Sequence, residues 1–181
     1  MLVEMAQADS TATVVRWEVL KGLPGEGPVA KHFHHGHPTP WNEGAVIRFW
    51  NSDGSHWIGN FQSRLGWRAE VTHWWESDSV IVVASRDLYL INARNPDEYT
   101  TLRFTTSTVF DEQRTALFVS DSIRIYAFDG DRRLRWMSEA LGGYDIELKA
   151  CGHGVLVAEL EEEMGEPRKA VRIRTEDGTT I

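Results

Sequence analysis

The stretch "VSDSIRIYAFDGDRRLRWMS" (Val119–Ser138) decides the fold. Ile123, Ile125 and Ala127 alternate with Arg124, Tyr126 and Phe128, the period-two pattern of a strand with one packed face and one mixed face. Asp129-Gly130 follows, a dipeptide that supplies the left-handed backbone of a tight hairpin turn, and a second strand begins near Leu134. Working outward, the same grammar recurs from Gly44 onward. Short runs such as "AVIRFW", "HWIGNFQ", "VIVVAS", "DLYLINA", "TALFVS", "VLVAEL" and "AVRIRT" are each of strand length, and turn residues separate them. "VIVVA" (Val80–Ala84) is apolar on both faces, as in a central strand covered by layers on either side. Asp53-Gly54 and Asp177-Gly178 repeat the turn chemistry of Asp129-Gly130. The one helical candidate, near Ser138–Leu141, is too short to matter.

The strands also repeat. "ASRDLYLINARNPDEYTTLRF" set above "VSDSIRIYAFDGDRRLRWMS" aligns Asp87–Ile91 with Ser122–Tyr126 and brings Leu102 near Trp136. The unit is about 35 to 40 residues, the size of a four-stranded propeller blade. "CGHGVLVAELEEEMGEPRKAVRIRTEDG" reads as a further, stretched copy. "IYAFDGDRRLRW" (Ile125–Trp136) resembles the strand-turn-strand of PQQ-like β-propeller repeats, with Asp129-Gly130-Asp131 in place of the Thr-Gly step of that turn. "EGAVIRFWNSDGSHWIGNFQ" (Glu43–Gln62), followed by "VIVVASRDLYLINARNP" (Val80–Pro96), resembles short bacterial propeller-like proteins. The resemblance implies an all-β fold and carries no activity.

The expected architecture is therefore a series of antiparallel meander sheets amounting to about three blades. Closed propellers have at least about four blades, so an open stack or a partial propeller is expected, with homodimerisation as one way to cover an open edge. Two regions are expected: residues 1–43, a strand and His/Pro-rich loop arm, and residues 44–181, the β-meander domain. The strand "TVVRWEVL" (Thr13–Leu20) either adds to a sheet edge or exchanges with a neighbouring chain.

Bulk properties bound the function. The chain has 181 residues, 41% of them hydrophobic, with eight Trp and seven Phe, a composition that supports a packed core. Lys and Arg total 19 against 27 acids, for a net charge of −8. That field repels phosphate and anionic lipid, which argues against nucleic acid and membrane and favours a basic protein as partner. One cysteine, Cys151, excludes an internal disulfide and fits a reducing compartment. No run approaches the roughly 20 apolar residues of a membrane span, and the N-terminus lacks the basic start of a secretory signal. A cytoplasmic location is expected.

Several clusters carry possible chemistry. His32, His34, His35 and His37 fall in "AKHFHHGHPTPWNEG" (Ala30–Gly44). His32 with His34, or His35 with His37, would share one face of an extended chain and could supply two ligands to zinc or nickel, with a third from Glu43, His56 or His73. The flanking Pro and Gly residues instead make the segment a solvated loop or a pH-dependent contact. Cys151 and His153 would share a strand face, yet a small buried thiol is the plainer expectation. No Gly-x-Ser-x-Gly elbow and no phosphate-cradling Gly-rich loop exists. Trp74 and Trp75 are adjacent, so a strand points them to opposite faces; either both pack, one in the core and one beneath the histidine loop, or one faces outward towards a partner. The acid run Glu161-Glu162-Glu163 is a hairpin tip suited to a basic surface. The leading expectation is a non-catalytic protein-binding module without a cofactor, of which an immunity-type inhibitor of a bacterial toxin is one form. The alternative is a metal-binding protein or metal-dependent enzyme built on the four histidines.

Overall fold

A computed structural model of the chain describes residues 13–36, 43–62, 68–163 and 165–181. Strand is the dominant element, and among the described residues the single helical feature is one 3₁₀ turn, Trp75–Ser77. Four sheets follow one another along the chain. The first holds β1 (Val14–Leu20), β2 (Lys31–Phe33), β3 (Ala45–Asn51) and β4 (His56–Phe61) in the spatial order β1-β3-β4-β2. The second is the meander β5 (Ala69–Trp74), β6 (Ser79–Ala84), β7 (Asp87–Asn92) and β8 (Tyr99–Leu102). The third is the meander β9 (Ser107–Phe110), β10 (Ala116–Ser120), β11 (Ile125–Asp129) and β12 (Leu134–Met137). The fourth has three strands, β13 (Tyr144–Gly152), β14 (Val155–Glu161) and β15 (Lys169–Arg174).

The sheets stack face to face in chain order, and three apolar clusters join them. Ile47, Phe49, Trp57 and Phe61 of the first sheet pack on Val80, Val82, Tyr89 and Ile91 of the second. Trp74, Ile81, Leu88 and Leu90 on the reverse of the second sheet meet Leu117, Val119 and Phe128 of the third. Phe118, Ile125 and Ala127 then pack on Ile146, Leu148, Leu156 and Ile173 of the fourth. The two inner sheets are thus buried on both faces, which explains why β6 is apolar at consecutive positions. Among the described residues no cluster joins the first sheet to the fourth, so the stack is open.

The first sheet departs from a simple meander. β2 runs parallel to β4, with Phe33 beside Phe61 and Lys31 beside Gly59. A Cβ on Gly59 would lie 2.5 Å from the Phe61 ring, and Phe33 stacks on that ring at 4.5 Å between centroids. Glycine at this position lets the aromatic pair lie flat against β4. β1 and β2, contributed by residues before Glu43, are the outer strands of this sheet.

Turn geometry corrects one expectation. Gly54 and Gly178 adopt positive φ, but Gly130 does not; the left-handed residue of that hairpin is Arg132, φ 65°. Asp129 makes this possible by accepting the backbone N–H groups of Asp131 and Arg133 at 2.9 Å each, which closes the turn from its side chain. The repeat recurs at the level of strands but two residues out of the expected alignment: Asn92 and Asp129 each end the third strand of a meander, which sets Leu88–Asn92 against Ile125–Asp129.

Candidate functional site

The adjacent tryptophans part company at the end of β5. Trp74 is fully buried in the cluster between the second and third sheets and donates its indole N–H to the Arg114 carbonyl. Trp75 begins the 3₁₀ turn and is 57% exposed. Its ring lies on His73, with centroids 3.6 Å apart. His73 is buried, and neither ring nitrogen has a hydrogen-bond partner among the described residues. Burial is the main influence that holds its pKa below the ordinary histidine value, with Arg114 adding to it and Asp78 and Glu76 opposing. His73 is therefore a neutral imidazole at pH 7 and serves as a platform for the indole.

The turn is tied down on all sides. Asp78 ends it in the left-handed conformation, φ 48°, and its carboxylate accepts Thr13 Oγ1 and Arg94 Nε. Arg114 donates to the His73 carbonyl at 3.0 Å and to Glu76 at 3.2 Å, while its guanidinium lies 3.9 Å from the Phe110 ring centre. From the neighbouring sheet, Arg132 donates to the Ser77 carbonyl and to Ser79 Oγ at 3.2 and 3.1 Å. The residue with the left-handed backbone of that hairpin thus also bridges to the preceding sheet.

Between this turn and the β11–β12 hairpin lies an open cleft of about 520 Å³. Trp75 forms one wall, Asp129 and Asp131 the other, and Glu76, Asp78 and Arg94 complete the charged rim. Arg94 pairs with Asp78, Arg114 with Glu76 at 3.2 Å and Arg133 with Asp131 at 3.9 Å, while Asp129 accepts the backbone N–H groups of its own turn. The cleft presents a broad apolar plate beside several carboxylates, a combination suited to cationic side chains, whose ammonium or guanidinium groups favour both indole faces and carboxylates.

The other sequence-identified groups are distributed elsewhere. His32 lies on β2, where Asn60 Nδ2 donates to its Nδ1 at 3.2 Å. His35 Nε2 lies 3.8 Å from Asp87 Oδ2, and its ring sits 5.0 Å from the Tyr89 ring between centroids. His34 is half-buried, and His37 lies outside the described residues. Among the described residues no three His, Cys, Asp or Glu side chains converge on a common point. Glu161 and Glu162 face cations of their own hairpin, Arg168 at 3.7 Å and Lys169 at 2.6 Å, and the Glu163 carbonyl accepts the Glu166 N–H. Arg168 is also shared with Asp145 and Glu147 at 2.9 Å each, so the acid run is only partly paired within the fourth sheet. Cys151 packs against the third cluster, where burial and the nearby Asp111 and Glu112 push its thiol up to about 11, so it is protonated at neutral pH. Sequence reasoning found Trp75 but missed Asp129 and Asp131 as its neighbours. The Asp-Gly-Asp turn was visible only as turn chemistry.

No helix among the described residues is long and apolar enough to cross a membrane. No model of a protein family matches the chain, and no curated protein matches it.

Proposed function

We propose that this protein is a non-catalytic binding module that engages a basic protein through the cleft between the Trp75 turn and the β11–β12 hairpin. The observation that carries the reading is the Trp75 indole, more than half exposed yet resting on His73 beside a carboxylate rim. An exposed tryptophan costs solvation, and its ring here rests against a buried imidazole, which matches the anchors that dominate protein interfaces. The net charge of −8 favours steered encounter with a cationic partner. One specific form is a cytoplasmic, immunity-type inhibitor that masks the cationic surface of a bacterial toxin.

The test is calorimetric titration with a Lys/Arg-rich peptide at low and high salt. Trp75→Ala should weaken binding at least about tenfold, as expected for an aromatic anchor, while thermal stability changes little because the side chain is exposed. Asp129→Asn with Asp131→Asn should weaken it further and flatten its salt dependence. Equal binding by wild type and Trp75→Ala would remove the cleft from the account.

A further inference from the structure

β1 is an edge strand with an unusual pattern. It is the outermost strand of the first sheet, and Arg16 to Val19 pair with β3 in regular register after a bulge at Val15. Every residue from Val15 to Val19 is exposed, including Val15 at 47%, Trp17 at 36% and Val19 at 45%. The register puts Trp17 opposite Phe49 and Val19 opposite Ile47, on the face of the first apolar cluster. Arg16 and Glu18 lie on the other face, opposite Trp50 and Arg48. Arg16 is held with its guanidinium 4.0 Å from the Trp50 ring centre, and Glu18 makes no ion pair among the described residues.

Proteins normally protect such edges with like charges, which repel a second copy. Here the charges are of opposite sign and sit one residue to either side of Trp17. Read backwards, "VRWEV" (Val15–Val19) becomes "VEWRV", so an antiparallel copy meets it with every position complementary. Trp17 falls opposite Trp17, Arg16 opposite Glu18, Glu18 opposite Arg16, and the two valines opposite one another. β13, an edge of the fourth sheet, carries the same opposite-sign pattern in Glu147-Leu148-Lys149, but there Lys149 already pairs with Glu147 at 2.8 Å and Glu159 at 3.1 Å, and Leu148 is buried. β15 exposes Lys169, Arg172 and Arg174, which would repel their own copies, and Thr179–Ile181 already pair along part of it.

We propose that β1 is a homodimerisation edge: two copies pair their β1 strands antiparallel about a two-fold axis at Trp17, joining the two first sheets into one continuous sheet. The interface is isologous and closes after two subunits, as such contacts do. Backbone hydrogen bonds supply the adhesion, and Trp17 and Val19 lose exposed apolar surface on one face. Two Arg16–Glu18 pairs fix the register on the other face. The inference rests on β1 alone and stands apart from the Trp75 cleft.

Sedimentation equilibrium of the full chain at submillimolar concentration tests it. The wild type should be dimeric. Arg16→Glu and Glu18→Arg each place like charges opposite one another at two symmetry-related positions, and each should weaken the dimer at least about tenfold. The double variant Arg16→Glu/Glu18→Arg restores complementarity with itself and should be dimeric again. An equimolar mixture of the two single variants should form heterodimers, since one strand then carries two acids and the other two cations. Circular dichroism melts confirm that each variant folds. A wild type that stays monomeric, single variants that dimerise like wild type, or a mixture that fails to associate would each overturn the proposal.

Discussion

His73 shows how one residue links burial, charge and surface. Both ring nitrogens are sealed beneath Trp75 without partners among the described residues, so protonation would place an unsolvated charge there. Its folded-state pKa is lowered while the unfolded chain keeps the ordinary value, so the unfolded state takes up more protons as pH falls. Stability from this group is present above the ordinary histidine pKa and is lost as pH falls below it. Melting temperatures measured from pH 7 to pH 5 should therefore decline, and the decline should be smaller in His73→Phe. An identical slope in the two proteins would show that His73 is solvated. The tryptophans beside it divide by the same logic. Trp74→Ala should cost about 3 to 5 kcal/mol, as for a fully buried aromatic, whereas Trp75→Ala removes a side chain that is mostly in water.

At the scale of elements, the joints between sheets mix apolar packing with a few buried polar clasps. The clearest joins the third and fourth sheets. Ser120 Oγ donates to the Ile146 carbonyl at 2.9 Å, lies 2.8 Å from both Thr106 Oγ1 and Ser107 Oγ, and Ser107 Oγ accepts the Leu148 N–H at 2.7 Å. Ser120 is fully buried, so these hydroxyls stand in for the backbone pairing that β13 does not make with β9 and β10. Ser120→Ala should lower unfolding free energy in urea by about 1 kcal/mol, because it removes one of the two hydroxyl donors to the Ile146 carbonyl, Thr106 Oγ1 being the other. Ser120→Thr keeps the hydroxyl but adds a methyl group, so it should be less damaging than Ser120→Val. The β15 corner makes a comparable demand: Gly178 has φ +78° and a Cβ there would lie 2.6 Å from the Trp136 ring, whose N–H donates to the Thr175 carbonyl at 2.9 Å.

For the whole molecule, the open stack means that each inner sheet depends on both neighbours. Among the described residues, Phe118, Ile125 and Ala127 pack mainly on the fourth sheet. A chain ending before Tyr144 should bind a hydrophobic dye strongly and self-associate, and dye fluorescence with light scattering would detect both. A truncated chain that remained monomeric and dye-silent would mean the third sheet can shield that face by itself. Charge acts at the same scale: association with a basic partner should weaken steeply between low and high salt, since the steering field belongs to the entire acidic surface.

The strand grammar was legible because period two and Asp-Gly turns act over a few residues. Val80–Ala84 read as a doubly buried strand, and Ile125 and Ala127 do pack opposite Tyr126 and Phe128. Where a side chain overrides the local rule, the reading failed: Asp129 closes its turn through its carboxylate, so Arg132 takes the left-handed conformation assigned to Gly130. The candidate site was legible only in part. The adjacent pair left open whether both tryptophans pack or one faces outward, and the structure decides it by ending β5 at Trp74 and turning the chain at Trp75. The pairing of Glu161 and Glu162 with Arg168 and Lys169 likewise arises from a hairpin fold-back that spacing alone does not reveal.

Local patterning along the chain was sufficient to establish an all-β protein of repeated hairpins, because alternation and turn chemistry are properties of neighbours. The parallel entry of β2, the four-sheet stack, and the meeting of Trp75 with Asp129 and Asp131 were decided by tertiary structure alone. Those features join residues far apart in the chain, and packing between sheets is what selects them.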